Sequence, residues 1–169
     1  MDEAQKAGQS HDINGGRLIL QTEAVSLWYH AASGIVHHRL ETIPDSESFR
    51  ALLLAGAELL ERERAQKWLS DDRKNLVVRE HDAAWAKQVW LPRVLRSGFK
   101  HWAIVLPTAA IGKLNMRRFA AENSKLGLNV NAIDNPETAF DWLRSFPVRA
   151  PEQALPMADT RHRQANRKP

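Results

Sequence analysis

Residues Gln66 to Pro107 read QKWLSDDRKNLVVREHDAAWAKQVWLPRVLRSGFKHWAIVLP. This run decides the fold class. Lys67-Trp68-Leu69 is a short strand that opens into a charged loop, Ser70-Asp71-Asp72-Arg73-Lys74-Asn75. From Glu80 to Arg96 the apolar residues return at helical spacing, with Ala84, Trp85, Val89, Val94 and Leu95 on the expected buried side and Gly98 as terminator. Pro92 has no N–H and crowds the turn before it, which predicts a kink near Gln88 to Trp90. Trp102 to Leu106 is then an unbroken apolar strand, the pattern of a strand covered on both faces. Strand, helix, strand implies parallel pairing through a crossover.

The reading extends in both directions. Downstream, Thr108 can cap a helix carrying Ile111, Leu114, Phe119 and Ala120, which Gly127 ends. Leu128 to Ile133 is a strand. Asn135-Pro136 starts a last helix, a cap followed by proline at the first helical position, with Ala139, Phe140, Trp142 and Leu143 facing inward. Upstream, Asp45 or Ser46 can cap a helix whose apolar stripe is Phe49, Leu52, Leu53, Gly56, Leu59 and Leu60. Before it lie three short strands, from Arg17, from Ala24 to Tyr29 and from Ile35 to Leu40, with a turn at Ala31 to Gly34. The expected fold is α/β: a mixed sheet with antiparallel opening strands, later βα units and about four helices. The expected organisation is a flexible arm over 1–16, one domain over 17–146 and a disordered, proline-containing basic tail over 147–169.

The bulk numbers suit one such domain. The chain has 169 residues, 43% hydrophobic and 26% charged. It has no cysteine, which excludes disulfides, thiolate metal sites and cysteine nucleophiles. No apolar stretch reaches the roughly 18 residues of a membrane span, and the first residues do not resemble a secretory signal. The expectation is a soluble, cytoplasmic protein. Of the net charge of +4, the segment 147–169 contributes +3, from five basic and two acidic side chains. A body carrying +1 is a poor match for a nucleic-acid groove, so nucleic acid is not an expected partner.

On these residues the chain resembles the STAS domain, the fold of bacterial anti-sigma-factor antagonists, and within it the SpoIIAA-like, STAS/SEC14-type group. The residues that carry the resemblance are Lys67-Trp68-Leu69-Ser70-Asp71-Asp72-Arg73, Trp90-Leu91-Pro92-Arg93, Gly98-Phe99-Lys100 leading into Ala103 to Pro107, and Ala139-Phe140-Asp141-Trp142-Leu143. It spans about residues 17–145. The resemblance implies a binding or regulatory module rather than an enzyme. In the antagonists a serine at the start of the helix after the middle strand is phosphorylated. The corresponding stretch here, Val78-Arg79-Glu80-His81-Asp82, has no Ser or Thr, so no phosphorylation site is carried over. Glu80 and Asp82 already place negative charge at that helix start, where the macrodipole favours it. The lipid-enclosing branch of the family implies an alternative, a carrier of a small apolar ligand.

Each candidate site has a plain structural alternative. Asp71, Asp72 and Arg73 stand where a strand leaves the sheet, the usual ligand side of an open α/β sheet; they can equally cap and pair within their own loop. His37 and His38 are adjacent on a strand and point to opposite faces, so they do not jointly suit a metal. His81 and Asp82 could suggest acid–base chemistry or simply a capped helix start. Trp90 beside Arg93 is an aromatic anchor for a partner if exposed, and Trp85 and Trp90 are expected to differ in burial. Trp28, Trp68, Trp102 and Trp142 read as packing. No phosphate loop, metal motif or cofactor motif is present. The sequence therefore points to a non-catalytic STAS-like module with a protein partner, possible homodimerisation, no cofactor, and a surface comprising Asp71, Asp72, Arg73, Arg79, Glu80, His81, Asp82, Trp90 and Arg93. A lipid carrier would instead need an apolar cavity near Trp85, Trp90 and Pro92. An enzyme would need titratable groups converging in one cleft, which the sequence does not show.

Overall fold

The computed structural model describes residues 15–74 and 78–149. The expected arm over 1–16 and the expected tail over 147–169 lie outside the described residues, except for Gly15, Gly16 and Pro147 to Arg149. Asn75, at the end of the charged loop, also lies outside them.

Six strands form one sheet in chain order: β1 (Arg17–Gln21), β2 (Val25–His30), β3 (Ile35–Leu40), β4 (Lys67–Asp71), β5 (His101–Val105) and β6 (Asn129–Ile133). The first two pairings are antiparallel and the last three parallel. The protein is thus a mixed α/β domain, as expected from the sequence. Three crossovers join the parallel strands: α1 (Ser46–Arg62), then α2 (Glu80–Trp85) running through a π-helical turn (Ala86–Trp90) into α3 (Leu91–Ser97), then α4 (Ala110–Ser124). A strand order that advances steadily with crossovers of one hand places these helices on one face. The final helix, α5 (Pro136–Arg144), covers the opposite face.

Strand alternation divides the core accordingly. Val25, Leu27, Val36, Leu40, Trp68, Trp102 and Ile104 face α1 to α4 and pack with Leu52, Leu53, Leu60, Trp90 and Val94. Ile35, Leu69, Ala103 and Val105 face α5 and pack with Ala139, Phe140 and Leu143. β5 is therefore covered on both sides, which explains its unbroken apolar run.

Asp45 caps α1, accepting from the Ser48 N–H at 2.7 Å. Gly56 lets the Trp68 ring lie against that helix, since a Cβ there would stand 2.1 Å from Trp68 Cη2. The indole groups are satisfied: Trp68 donates to His38 Nδ1 at 2.8 Å, Trp90 to the Leu53 carbonyl at 3.0 Å and Trp102 to Ser70 Oγ at 2.8 Å.

Two expectations need correction. The kink before Pro92 is a π turn, closed by the Leu91 N–H bonding to the Ala86 carbonyl. Its extra residue rotates the stripe that follows, so Val89 is 48% exposed while Trp90, Leu91 and Val94 are buried; Ala84, ahead of the turn, is also exposed. In α4, Ile111, Leu114 and Phe119 are largely exposed. This helix lies on the edge strand β6 through Gly112, Ala120 and Asn123 instead. Among the described residues no helix is long and apolar enough to cross a membrane.

Candidate functional site

The loops after β3 and β4 and the start of α2 meet at the carboxyl end of the parallel strands. Asp71, the last residue of β4, is 1% exposed. Its two oxygens accept from Arg73 Nε and Nη2, both at 2.8 Å, a bidentate pair across two positions of chain. That hydrogen bond raises the Arg73 guanidinium above its ordinary range and outweighs the effect of partial burial. Asp72 accepts from His38 Nε2 at 3.2 Å. Because the Trp68 indole donates to His38 Nδ1, the imidazole carries its proton on Nε2, directed at Asp72.

Glu41 completes the same patch. It accepts from Arg39 at 2.5 Å and from Lys74 at 2.9 Å. Burial alone would raise its carboxyl, but the hydrogen bonds from Lys74 and Arg39 and their charges outweigh this and lower it. Arg39 and Asp71 are register partners on β3 and β4, so the sheet itself brings these loops together.

Asp82 is buried at 1% exposure in the first turn of α2. It accepts from Ser46 Oγ at 2.7 Å and Arg50 Nε at 2.9 Å, both on α1. Here too burial pushes the carboxyl up, and the Ser46 and Arg50 hydrogen bonds, with the nearby His81, carry it below the ordinary range. Arg50 also lies 5.1 Å from the Trp85 ring centre. Asp82 is thus the clamp that fixes α2 to α1.

Ser46, His81 and Asp82 touch, yet they do not form a nucleophile triad. Such a triad places the imidazole between hydroxyl and carboxylate, using one nitrogen for each. Here the Ser46 hydroxyl donates directly to Asp82, and His81 Nε2 faces both groups, at 2.9 Å from Ser46 Oγ and 3.3 Å from Asp82.

The expected site residues therefore separate into three groups. Asp71, Asp72 and Asp82 are brought to one edge but used in internal bonds. Arg79, Glu80 and His81 form an exposed first turn beside them, and Arg73 remains partly open at 42% side-chain exposure. Trp90 and Arg93 are elsewhere. Trp90 is 3% exposed within a ring cluster with Trp68, Phe99 and Trp102, so it is no surface anchor. Arg93 pairs bidentately with Glu61 of α1 at 2.7 and 2.8 Å. The ring cluster packs around Trp90, and Trp85 lies against Arg50.

Sequence reasoning missed Ser46, Arg50, Glu41 and Lys74. The Ser46–Asp82, Arg50–Asp82 and Glu41–Lys74 bonds each join positions more than thirty apart, and no local spacing signals them. His37 and His38 do point to opposite faces: His37 stands beside His30 at 3.4 Å under α5, and His38 beneath the helices of the other face. Among the described residues no cluster of three or more His, Asp or Glu side chains is placed to hold a metal ion. No family model, curated protein or solved structure matches the chain.

Proposed function

We propose that this chain is a non-catalytic, STAS-like interaction module of the cytoplasm that docks a protein partner on the exposed first turn of α2 and the adjoining Arg73 and Lys74. One observation carries the reading. Asp71, Asp72 and Asp82 are held in internal bonds, while Arg79, Glu80 and His81 form an exposed turn on a helix anchored by Asp82. A rigid, charged, solvent-facing turn suits recognition. The groups that catalysis would use as acid, base or nucleophile are already engaged with one another. The resemblance of Lys67 to Arg73 and of Trp90 to Arg93 to the STAS pattern supports the same class, and fold likeness alone does not fix function.

The test is affinity capture from host-cell lysate with the wild-type chain and with Arg79→Glu/Glu80→Lys/His81→Glu. All three side chains are exposed, and because His81→Glu sets a second carboxylate beside the Asp82 clamp, a thermal melt checks that the variant remains folded. The reading predicts a discrete partner that the triple variant loses. Unchanged capture by the variant would remove this surface from consideration.

A further inference from the structure

The opposite end of the sheet, where the parallel strands begin, has a different electrostatic character. Five exposed bases lie there: Arg17 at the start of β1, Arg96 in the last turn of α3, Lys100 before β5, Lys125 after α4, and Arg149. Of the acids at this end, Glu61 and Glu63 are paired with Arg93 and Arg62, and Glu122 stands in the last turn of α4, so bases outnumber acids. None of these five bases forms an ion pair with another described residue. Arg96 and Lys125 sit at helix carboxyl ends, where a cation offsets the macrodipole. Arg17 and Lys100 have no such role, and the Arg149 guanidinium lies against Gly98 at the carboxyl end of α3. Beneath them Lys67 is 2% exposed, and its ammonium donates to the carbonyls of Ser33 at 3.0 Å and Phe146 at 2.5 Å, with no carboxylate partner. His101 registers the resulting field: burial, then the charges of Lys67 and Lys100, lower its imidazole below the ordinary value.

Aliphatic side chains are exposed among these bases. Leu18 follows Arg17 and is 48% exposed, Leu126 follows Lys125 at 54%, and Val148 precedes Arg149 at 50%. β1 and β6 are the two edges of the sheet, so the pairs are spread over five strand spacings, about 24 Å. Val148 and Arg149 fall between them, against Gly34 and Gly98. The chain continues from Arg149 into a segment with Arg161, Arg163, Arg167 and Lys168 against Glu152 and Asp159, which extends the same sign of charge.

We infer that this amino end of the sheet is a docking surface for an anionic lipid bilayer. Unpaired bases meet the phosphate and carboxylate headgroups, and Leu18, Leu126 and Val148 enter the interfacial layer. A nucleic-acid surface would share the charge but would have no use for aliphatic side chains; it uses aromatic platforms or arginine-lined grooves. This surface is separate from the α2 edge and stands whether or not that edge binds a protein.

The test is co-sedimentation of the full chain with vesicles of phosphatidylcholine alone and of phosphatidylcholine mixed with phosphatidylserine. The expected result is pelleting with the mixed vesicles only, reversed by salt. Lys100→Glu/Lys125→Glu/Arg149→Glu should weaken binding at least about a hundredfold, and Lys87→Glu, on the π turn, by no more than about fivefold. Leu126→Ser/Val148→Ser should weaken it by about tenfold at unchanged net charge. Thermal melts check that each variant remains folded. Absence of binding to the mixed vesicles overturns the inference, as does a triple variant that binds like wild type. Tighter binding of a single-stranded RNA through the same bases, indifferent to Leu126 and Val148, also overturns it, in favour of nucleic acid.

Discussion

The two ends of the sheet solve the same electrostatic problem in opposite ways. At the carboxyl end, helix starts and strand ends gather carboxylates, and Asp71, Asp72, Asp82 and Glu41 are bonded to Arg73, His38, Arg50 and Lys74. At the amino end, Arg17, Arg96, Lys100, Lys125 and Arg149 stand outside any ion pair even though Glu63 and Glu122 lie at the same end, and the buried Lys67 leans on main-chain carbonyls. Apart from the exposed turn Arg79 to His81, the first end is a closed network that holds loops and helices in place. The second leaves its charge open to solvent. The difference teaches that charge placed for architecture and charge left available for a partner are told apart by what each group already touches, not by how many there are.

The sharpest way to break this comparison is to remove one charge from each end. Asp71→Ala deletes a carboxylate that is 1% exposed and strands the Arg73 guanidinium, which remains 42% exposed. Breaking a fully buried pair costs about 3–5 kcal/mol. Discounted for the exposed arginine, the expected loss is about 2 kcal/mol, read as a lower urea midpoint at unchanged slope. Lys125→Ala at the other end should stay within about 0.5 kcal/mol of wild type. Equal losses would dissolve the distinction.

Acid titration sharpens it next. Asp82 and Glu41 have lowered carboxyls in the folded protein. Their contribution to stability is therefore complete above the unfolded carboxylate range and is lost as pH falls through the folded values. Denaturation curves below about pH 4.5 should show this slope, and Asp82→Asn should flatten part of it. An unaltered slope would mean that the clamp between α1 and α2 is not formed in solution.

His101 gives a smaller effect of the same sign at the other end. Its folded value is lowered by burial and by the charges of Lys67 and Lys100. Between that value and about 6.5 the unfolded chain holds a proton that the folded one does not, so stability should fall as pH drops below about 6.5 and then level off. Lys100→Gln removes part of the positive field, so an NMR titration should show the His101 imidazole rising toward its ordinary value. No movement would mean that the field at this end is screened away. Smallest of all, His81→Ala should cost no more than about 0.5 kcal/mol in urea denaturation, since its side chain touches Ser46 and Asp82 but is 62% exposed.

The element order was legible because periodicity and turn chemistry are local. Asn135-Pro136, Gly98 and the run Trp102 to Leu106 each act where the sequence places them. Pro92 announced an irregular turn, but not that the turn would be π-helical, and the extra residue there moved Trp90 inward and Val89 outward. The apolar residues of α4 misled because an edge strand offers a helix little surface, and small residues make the contact. The acidic loop was visible as a candidate site, yet its pairing was not: the His38–Asp72 and Arg50–Asp82 bonds join positions more than thirty apart. The basic end escaped notice because charge was counted along the chain. A body of +1 conceals a separation of charge between two ends that appears only when the strands are aligned.

The most direct measurement crosses the two surfaces. Partner capture and vesicle binding are both measured on Arg79→Glu/Glu80→Lys/His81→Glu and on Lys100→Glu/Lys125→Glu/Arg149→Glu. The first variant is expected to lose the protein partner and keep the vesicles, and the second to do the reverse. If one variant loses both activities, or if neither loses either, the two ends are not the separate surfaces described above.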